Sequence, residues 1–129
     1  MDLDFEKLDG LIPAIVQDAR TGEVLMLGFM NEEAYEATRA SGAVTFYSRT
    51  RRKLWRKGER SGHTLRVREV RVDCDADSIL VRVDPLGPGV CHEGYRSCFF
   101  RRLGDDGEVD VLEERAFDPD VVYGRRSGR

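Results

Sequence analysis

Apolar and polar residues alternate in short groups over much of the chain, which is the pattern of β-strands. Two such groups, residues 11–17 and 23–30, flank a short segment with the Asp and Gly typical of a tight turn. Because two strands joined by a short turn pair antiparallel, the pattern predicts a β-hairpin in this part of the chain.

One helix is predicted directly after the hairpin. Asn31 is a favourable N-cap, and Glu32 and Glu33 would lie in the first turn, where carboxylates interact well with the helix dipole. No helix-breaking residue follows before Gly42, and glycine commonly ends helices. The sequence therefore predicts a helix between Asn31 and Gly42.

Strand patterns return after the helix. Residues 43–48 form an apolar group, and alternation resumes at Leu65 but changes phase between Val67 and Val70. One extra residue there would keep both sets of valines facing the core, so the pattern predicts a β-bulge. Three further strands and a short capped turn are predicted over residues 79–84, 98–103, 109–112 and 118–123.

Length and composition indicate one charge-rich globular domain. The chain has 129 residues, 35% of them charged, so we expect a single domain over residues 1–124 and a disordered basic tail over residues 125–129. The net charge of −3 gives no general reason to bind nucleic acid. No apolar run has the length of a signal peptide or a membrane span, so we expect a cytoplasmic protein without membrane association.

The cysteines indicate a catalytic metal centre. Cys74, Cys91 and Cys98 follow a C-x16-C-x6-C spacing, which differs from the short knuckles of structural zinc sites. An odd number of cysteines in a reducing compartment favours thiolate ligands over disulfides. Three thiolates would leave one zinc coordination position for water, as in catalytic sites. His92, beside Cys91, is a candidate for proton transfer, and His63 is the other histidine of the chain.

Alternating aspartates predict a second metal site around Cys74. If the preceding strand continued, Cys74 would point away from Asp73 and Asp75, and the thiolate and carboxylate sites would be separate. Carboxylates, including Asp77, prefer magnesium or another hard cation, whereas thiolates prefer zinc. An EF-hand is excluded because Ser78 replaces the required glycine, and a plain turn capped by the aspartates is the alternative.

A basic segment, residues 49–60, is the third candidate feature. It contains seven Lys and Arg residues and the only tryptophan, Trp55, and Gly62 follows it. Cationic side chains beside exposed glycine amides suit phosphate oxygens, so an anionic ligand is one interpretation and a solvated loop is the other. A nucleic-acid-binding module is a third: Trp55 and Tyr47 would stack on bases, and His92 would complete a four-ligand zinc site.

Several motifs occur together in one known family, and the match extends beyond them, from Asp18 to the Phe117-Asp118-Pro119 region. They are Leu54-Trp55-Arg56-Lys57-Gly58-Glu59, Ser61-Gly62-His63, Val72-Asp73-Cys74-Asp75, Cys91-His92 and Arg96-Ser97-Cys98-Phe99. In this combination the chain resembles phosphoribosyl-AMP cyclohydrolases of histidine biosynthesis, although Arg60 and Glu93 stand where threonine is common. The resemblance implies an α+β fold, with a mostly antiparallel, barrel-like sheet and one main helix, in an intertwined homodimer.

The resemblance also implies an activity and its residues. A zinc-activated water would open the adenine ring of 1-(5-phosphoribosyl)-AMP at the N1–C6 bond without releasing ammonia. Magnesium would bind Asp73, Asp75 and Asp77, and each zinc would bind Cys74 of one subunit with Cys91 and Cys98 of the other. His92 or His63 would transfer the proton. The implied substrate-binding residues are Arg49, Trp55, Arg56, Lys57, Glu59, Ser61 and Arg96.

Overall fold

The computed structural model describes residues 2–124, which form an α+β fold with one main helix. The main helix is α1 (Glu32–Ser41), and a single-turn helix, α2 (Pro119–Val122), lies near the end of the described chain. The strands are β1 (Ile12–Asp18), β2 (Val24–Met30), β3 (Thr45–Ser48), β4 (Lys53–Arg56), β5 (Leu65–Val72), β6 (Ile79–Pro85), β7 (Arg101–Leu103) and β8 (Val109–Val111). The tail predicted over residues 125–129 lies outside the described residues.

The main sheet has the strand order β2-β1-β6-β5 and confirms the predicted hairpin of β1 and β2. β5 and β6 are also antiparallel, and their register shifts between Val67 and Glu69, which confirms the predicted bulge. β1 and β6 are parallel, with Val16 opposite Val81. The sequence did not predict this pairing, because about sixty residues of chain separate the two strands.

The predicted helix and both of its caps are confirmed. The Asn31 side chain accepts a hydrogen bond from the Ala34 amide at 2.8 Å. Gly42 ends the helix at φ +75°, a conformation that costs glycine little, and its amide donates to Thr38. The buried Thr38 hydroxyl accepts from the Thr45 amide at 3.0 Å, so the helix is fixed against the start of β3.

The structure corrects three expectations about local conformation. The basic segment contains strand β4, which pairs with β3 because Leu54 and Trp55 pack against the core. β5 ends at Val72, so the strand does not continue through the aspartates. β7 begins at Arg101 and not at residue 98, because the Cys98 amide donates instead to the Leu25 carbonyl of β2 at 2.7 Å.

Residues 73–78 form a tight turn in place of the predicted strand. The Asp73 carboxylate accepts hydrogen bonds from the amides of Asp77 at 3.0 Å and Ser78 at 3.4 Å, and Ala76 has φ +60°. Strand parity therefore does not decide where the Cys74 and aspartate side chains point. Among the described residues, no helix is both long enough and apolar enough to cross a membrane.

Candidate active site

A cleft of about 500 Å³ lies beside the β3–β4 hairpin and the turn that follows it. Its lining residues are Ser48, Arg51, Trp55, Arg56, Lys57, Gly58, Glu59, Arg60, Ser61, His92 and Tyr123. Four of these side chains are cationic and one is a carboxylate, so the cleft suits an anionic ligand. Five of the predicted substrate-binding residues lie here together with His92.

A closed turn shapes one wall of the cleft. The Gly62 amide donates to the Gly58 carbonyl at 2.7 Å, and Gly58 has φ +88°. A Cβ on Gly58 would lie 2.5 Å from the backbone of His63 and Thr64, so a larger residue would force the turn open. The turn thereby holds Glu59 and Ser61 at the cleft.

Two of the three cysteines meet next to a buried lysine. The thiols of Cys91 and Cys98 lie next to each other and interact electrostatically, and Lys57 interacts electrostatically with both. Burial raises the pKa of Cys98 to about 11, the neighbouring Cys91 adds to this effect, and the Lys57 charge opposes it. Burial lowers the pKa of Lys57, while the two thiols act in the opposite direction. A positive charge on Lys57 and a negative charge on either thiolate would therefore stabilise each other.

The loop between these cysteines folds back on itself and is attached to β2. The Cys91 amide donates to the Tyr95 carbonyl at 3.0 Å, which brings the two ends of the loop together. The Ser97 hydroxyl donates to the Val24 carbonyl at 2.8 Å, and the Cys98 amide donates to Leu25. These bonds fix both thiols relative to the main sheet.

Arg96 belongs to a different part of the structure from the cleft. Its guanidinium pairs with Glu23 at 2.7 Å and with the buried Asp18 at 3.3 Å, and it also donates to Thr21 at 3.3 Å. It lines a second cavity, of about 260 Å³. Arg96 therefore connects the cysteine loop to the β1–β2 turn, and its predicted contact with the substrate stays a prediction.

Replacing Arg96 is expected to loosen this connection. Arg96→Gln should lower the free energy of unfolding by about 1 kcal/mol, because the Asp18 carboxylate, only 5% exposed, loses its cation but keeps its backbone donors. Urea titration followed by fluorescence measures the change. Arg102→Gln is the matched control, since the Arg102–Asp110 pair is exposed on both sides and should contribute little. Equal losses in the two variants would contradict a linking role for Arg96.

The third cysteine, Cys74, is exposed in the turn after β5. Its thiol lies 3.7 Å from an Asp75 oxygen, which corrects the expectation that the two side chains point apart. In residues 2–124, the cluster of potential metal ligands is Asp73, Asp75 and Asp77, with ligand atoms within 4.8 Å of one another. Cys74 does not meet the other thiols within that part of the chain, nor does His92 form a ligand group with them.

The two histidines occupy different environments. His92 is exposed and lines the cleft. His63 Nδ1 lies 3.1 Å from the Gly89 carbonyl, and its ring packs edge-on against Phe117 with centroids 4.7 Å apart. Because a carbonyl only accepts hydrogen bonds, this contact requires a proton on Nδ1 and leaves Nε2 as the acceptor. A Cβ on Gly87 would lie 2.5 Å from the His63 ring, so a glycine at this position lets the loop after β6 pass close to the ring.

Some cleft residues were not predicted, and some predicted residues have other contacts. Ser48 and Tyr123 carry no local signal, since they come to the cleft only through the fold, whereas Arg51 belonged to the recognised basic segment. Arg49 lies over the Phe29 ring, 5.0 Å from its centroid, and does not line the cleft. Trp55 both lines the cleft and packs against the core.

Comparison with known proteins identifies the chain. A sequence model of the family described as phosphoribosyl-AMP cyclohydrolase matches residues 26–100. A protein of that name from Solibacter usitatus is 57% identical over 98% of this chain and 100% of its own length. Proteins of the same name from Desulforapulum autotrophicum and Pelotomaculum thermopropionicum are 52% and 55% identical, over 95% and 97% of this chain and 98% of each relative. The chain is thus a small α+β hydrolase. It belongs to the phosphoribosyl-AMP cyclohydrolase family.

Proposed function

We propose that this protein hydrolyses the N1–C6 bond of the adenine ring in 1-(5-phosphoribosyl)-AMP, a step of histidine biosynthesis carried out in the cytoplasm. The observation that carries the proposal is the cationic cleft beside the paired thiols of the buried Cys91 and the half-buried Cys98, in a chain of this family. The substrate presents two phosphates and an N1-alkylated adenine. The reaction adds water at C6 and breaks the N1–C6 bond. N1 stays attached to C2 and the amino nitrogen stays on C6, so no ammonia leaves.

The cleft suits this substrate in size and charge. Its volume of about 500 Å³ lies within the usual range of small-molecule sites. Arg51, Arg56 and Arg60 provide guanidinium groups, which bind phosphate oxygens through paired hydrogen bonds. Trp55 at the wall offers an aromatic face for a base. Glu59 and Ser61, held by the closed turn, would orient the polar edge of the ligand.

The thiol pair fits a zinc ion that is completed by a second chain. Cys91 and Cys98 are adjacent, so both could bind one ion, and the nearby Lys57 charge favours the thiolates against the opposing effect of burial. Cys74 of a partner subunit would provide the third thiolate, since it is exposed and apart from the pair within one chain. Zinc bound in this way would supply a water molecule made acidic enough to attack the ring at neutral pH.

His92 is proposed as the residue that transfers the proton. It directly follows Cys91, a proposed zinc ligand, and it lines the cleft. A substrate in the cleft and a water on the zinc would therefore both be near His92. His63 is the second candidate, because the Nδ1 contact with Gly89 leaves its Nε2 as a proton acceptor. Either imidazole would accept a proton from the attacking water and return it to the departing ring nitrogen.

The aspartate turn fits a hard cation such as magnesium. Asp73, Asp75 and Asp77 present oxygens within 4.8 Å of one another, which suits a small ion with oxygen ligands. Lys7 pairs with Asp77 at 3.1 Å and partly neutralises the cluster, so an ion would compete with this ammonium group. Magnesium there would bind a phosphate or orient the substrate.

Removing one of these carboxylates should affect the magnesium site and leave the zinc site intact. Asp75→Asn is expected to lower magnesium-dependent turnover at least roughly 10-fold while zinc content stays unchanged, because zinc prefers sulfur and magnesium prefers carboxylates. Magnesium titrations of activity and elemental analysis of zinc measure the two effects. Asp105→Asn, in an exposed turn, is the control. Loss of zinc from Asp75→Asn alone would show that Asp75 and the thiolates belong to one site.

The proposed dimer is supported by an exposed apolar arm. β7 and β8 form a separate two-stranded sheet, and such a hairpin is only marginally stable alone. Its apolar side chains are nonetheless exposed, with Leu103 at 73%, Val109 at 56% and Val111 at 58%. Cover by a second copy would bury them and would join the chains in the intertwined, barrel-like assembly that the family resemblance implies.

Metal reconstitution tests the proposed reaction. The purified protein, stripped by a chelator and dialysed, should not convert phosphoribosyl-AMP, and zinc together with magnesium should restore turnover. Zinc content should approach one ion per chain, as expected for two shared centres in a dimer. Full turnover by the stripped protein would contradict a zinc-dependent reaction.

A further inference from the structure

Lys57 is a buried cation without a carboxylate partner in the described part of the chain. The residue is only 9% exposed, and no Asp or Glu oxygen within residues 2–124 lies within 4.0 Å of its ammonium group. It interacts electrostatically with the thiols of Cys98 and Cys91, and its ammonium nitrogen lies 5.8 Å from the centroid of the Trp55 ring. Burying an ammonium group costs free energy unless nearby negative charge offsets it. The neighbouring thiols are the groups that would carry this negative charge as thiolates.

The position of Lys57 differs from that of the other cations at the cleft. Arg51, Arg56 and Arg60 are exposed and available to a ligand in the open cleft. Lys57 is held by the bond from its own amide to the Val44 carbonyl at 2.9 Å, and its buried ammonium group interacts electrostatically with the thiol pair. A role limited to binding substrate phosphate would not require this burial.

The charge of a zinc centre with three thiolates explains the need for a buried cation. Zinc carries +2 and three thiolates carry −3, which leaves a net charge of about −1 in a partly water-excluded site. We propose that Lys57 is the counter-cation of this centre, and that it stabilises the zinc-loaded thiolates without touching the metal. The inference rests on the zinc centre of the proposed function. Lys57 is accordingly a positioning and electrostatic residue that acts through Cys91 and Cys98.

Zinc affinity is the direct test of this role. Competition of the purified protein against a chromophoric zinc chelator should show affinity lower by a factor on the order of 10 to 100 for Lys57→Gln, as for other groups that support metal ligands. Lys57→Arg, which keeps the charge, should recover most of the loss. Lys53→Gln is the matched control: it removes the same charge from an exposed position in β4 and should change zinc affinity less than about two-fold.

Cobalt substitution separates a charge effect from damage to the fold. At saturating cobalt, Lys57→Gln should show the same thiolate-to-cobalt absorption as the wild type, which would mean that the ligands are intact and only affinity has changed. If Lys57→Gln does not fold, Lys57→Met, which fills the same space without a polar group, takes its place in both measurements and should show the same loss of affinity.

Each outcome decides the inference. If the folded neutral variants bind zinc as tightly as the wild type does, the proposed role of Lys57 is overturned, while the zinc centre stands. An equal loss in Lys57→Arg and Lys57→Gln, both folded, would show that the fit of the lysine matters and not its charge, and would also overturn it. A wild type that binds no zinc would overturn the zinc centre itself, and the inference with it.

Discussion

A mixture of Cys74→Ala and Cys98→Ala chains is expected to regain about one quarter of wild-type activity, although each variant alone should be inactive. In a two-fold dimer with crossed sites, a heterodimer collects both lesions in one centre and none in the other. Random mixing makes about half of the dimers heterodimers, and half of their centres are intact. Turnover after subunit exchange measures the recovery.

The geometry of a single chain motivates this prediction. Cys91 and Cys98 lie next to each other and interact electrostatically, whereas Cys74 is exposed in a turn and does not join them within the described residues. A mixture of Cys91→Ala and Cys98→Ala is the matched control and should recover nothing, because those two ligands come from the same chain. If native mass spectrometry shows exchange and the first mixture stays inactive, each zinc site is built within one chain.

His92→Ala is expected to slow turnover by a factor on the order of 10² or more while zinc content and thermal stability are unchanged. His92 is exposed at the cleft, so its removal should take away proton transfer without disturbing the packing. Steady-state kinetics over a range of pH, with zinc analysis and a thermal melt of the same sample, measures these effects.

His63→Ala is the informative comparison for His92→Ala. It should also slow turnover, but it should lower the melting temperature as well, because the His63 ring packs on Phe117 and its Nδ1 bonds to Gly89. Both variants should retain zinc. Near wild-type rates for the two variants at every pH would mean that neither histidine transfers the proton.

Local patterns predicted the elements whose cause is local. The Asn31 and Gly42 caps depend on neighbouring backbone groups, and the bulge after Val67 is visible as a change of phase in one strand. The parallel pairing of β1 with β6 depends on distant chain, so no short pattern revealed it. The turn at Asp73 was predicted only as the alternative, because alternation alone does not show that side-chain hydrogen bonds to two amides end the strand there.

The candidate site was predictable to a similar extent. The motifs named the residues that line the cleft from the β3–β4 hairpin, since they are contiguous in sequence. Tyr123 reaches the cleft only through the fold of the last segment, and Arg96 proved to be paired with Glu23 and Asp18 at the β1–β2 turn. The burial of Lys57 beside the cysteines likewise depends on contacts between distant segments, which residue type and spacing do not encode.

Ring opening is tested most directly by incubating the zinc- and magnesium-loaded protein with phosphoribosyl-AMP while ultraviolet absorbance and free ammonia are followed in one sample. The proposed reaction predicts a spectral change as the purine ring opens, with no ammonia at any time. Ammonia released in proportion to the spectral change would show that the protein removes an amine instead and would contradict the proposed function.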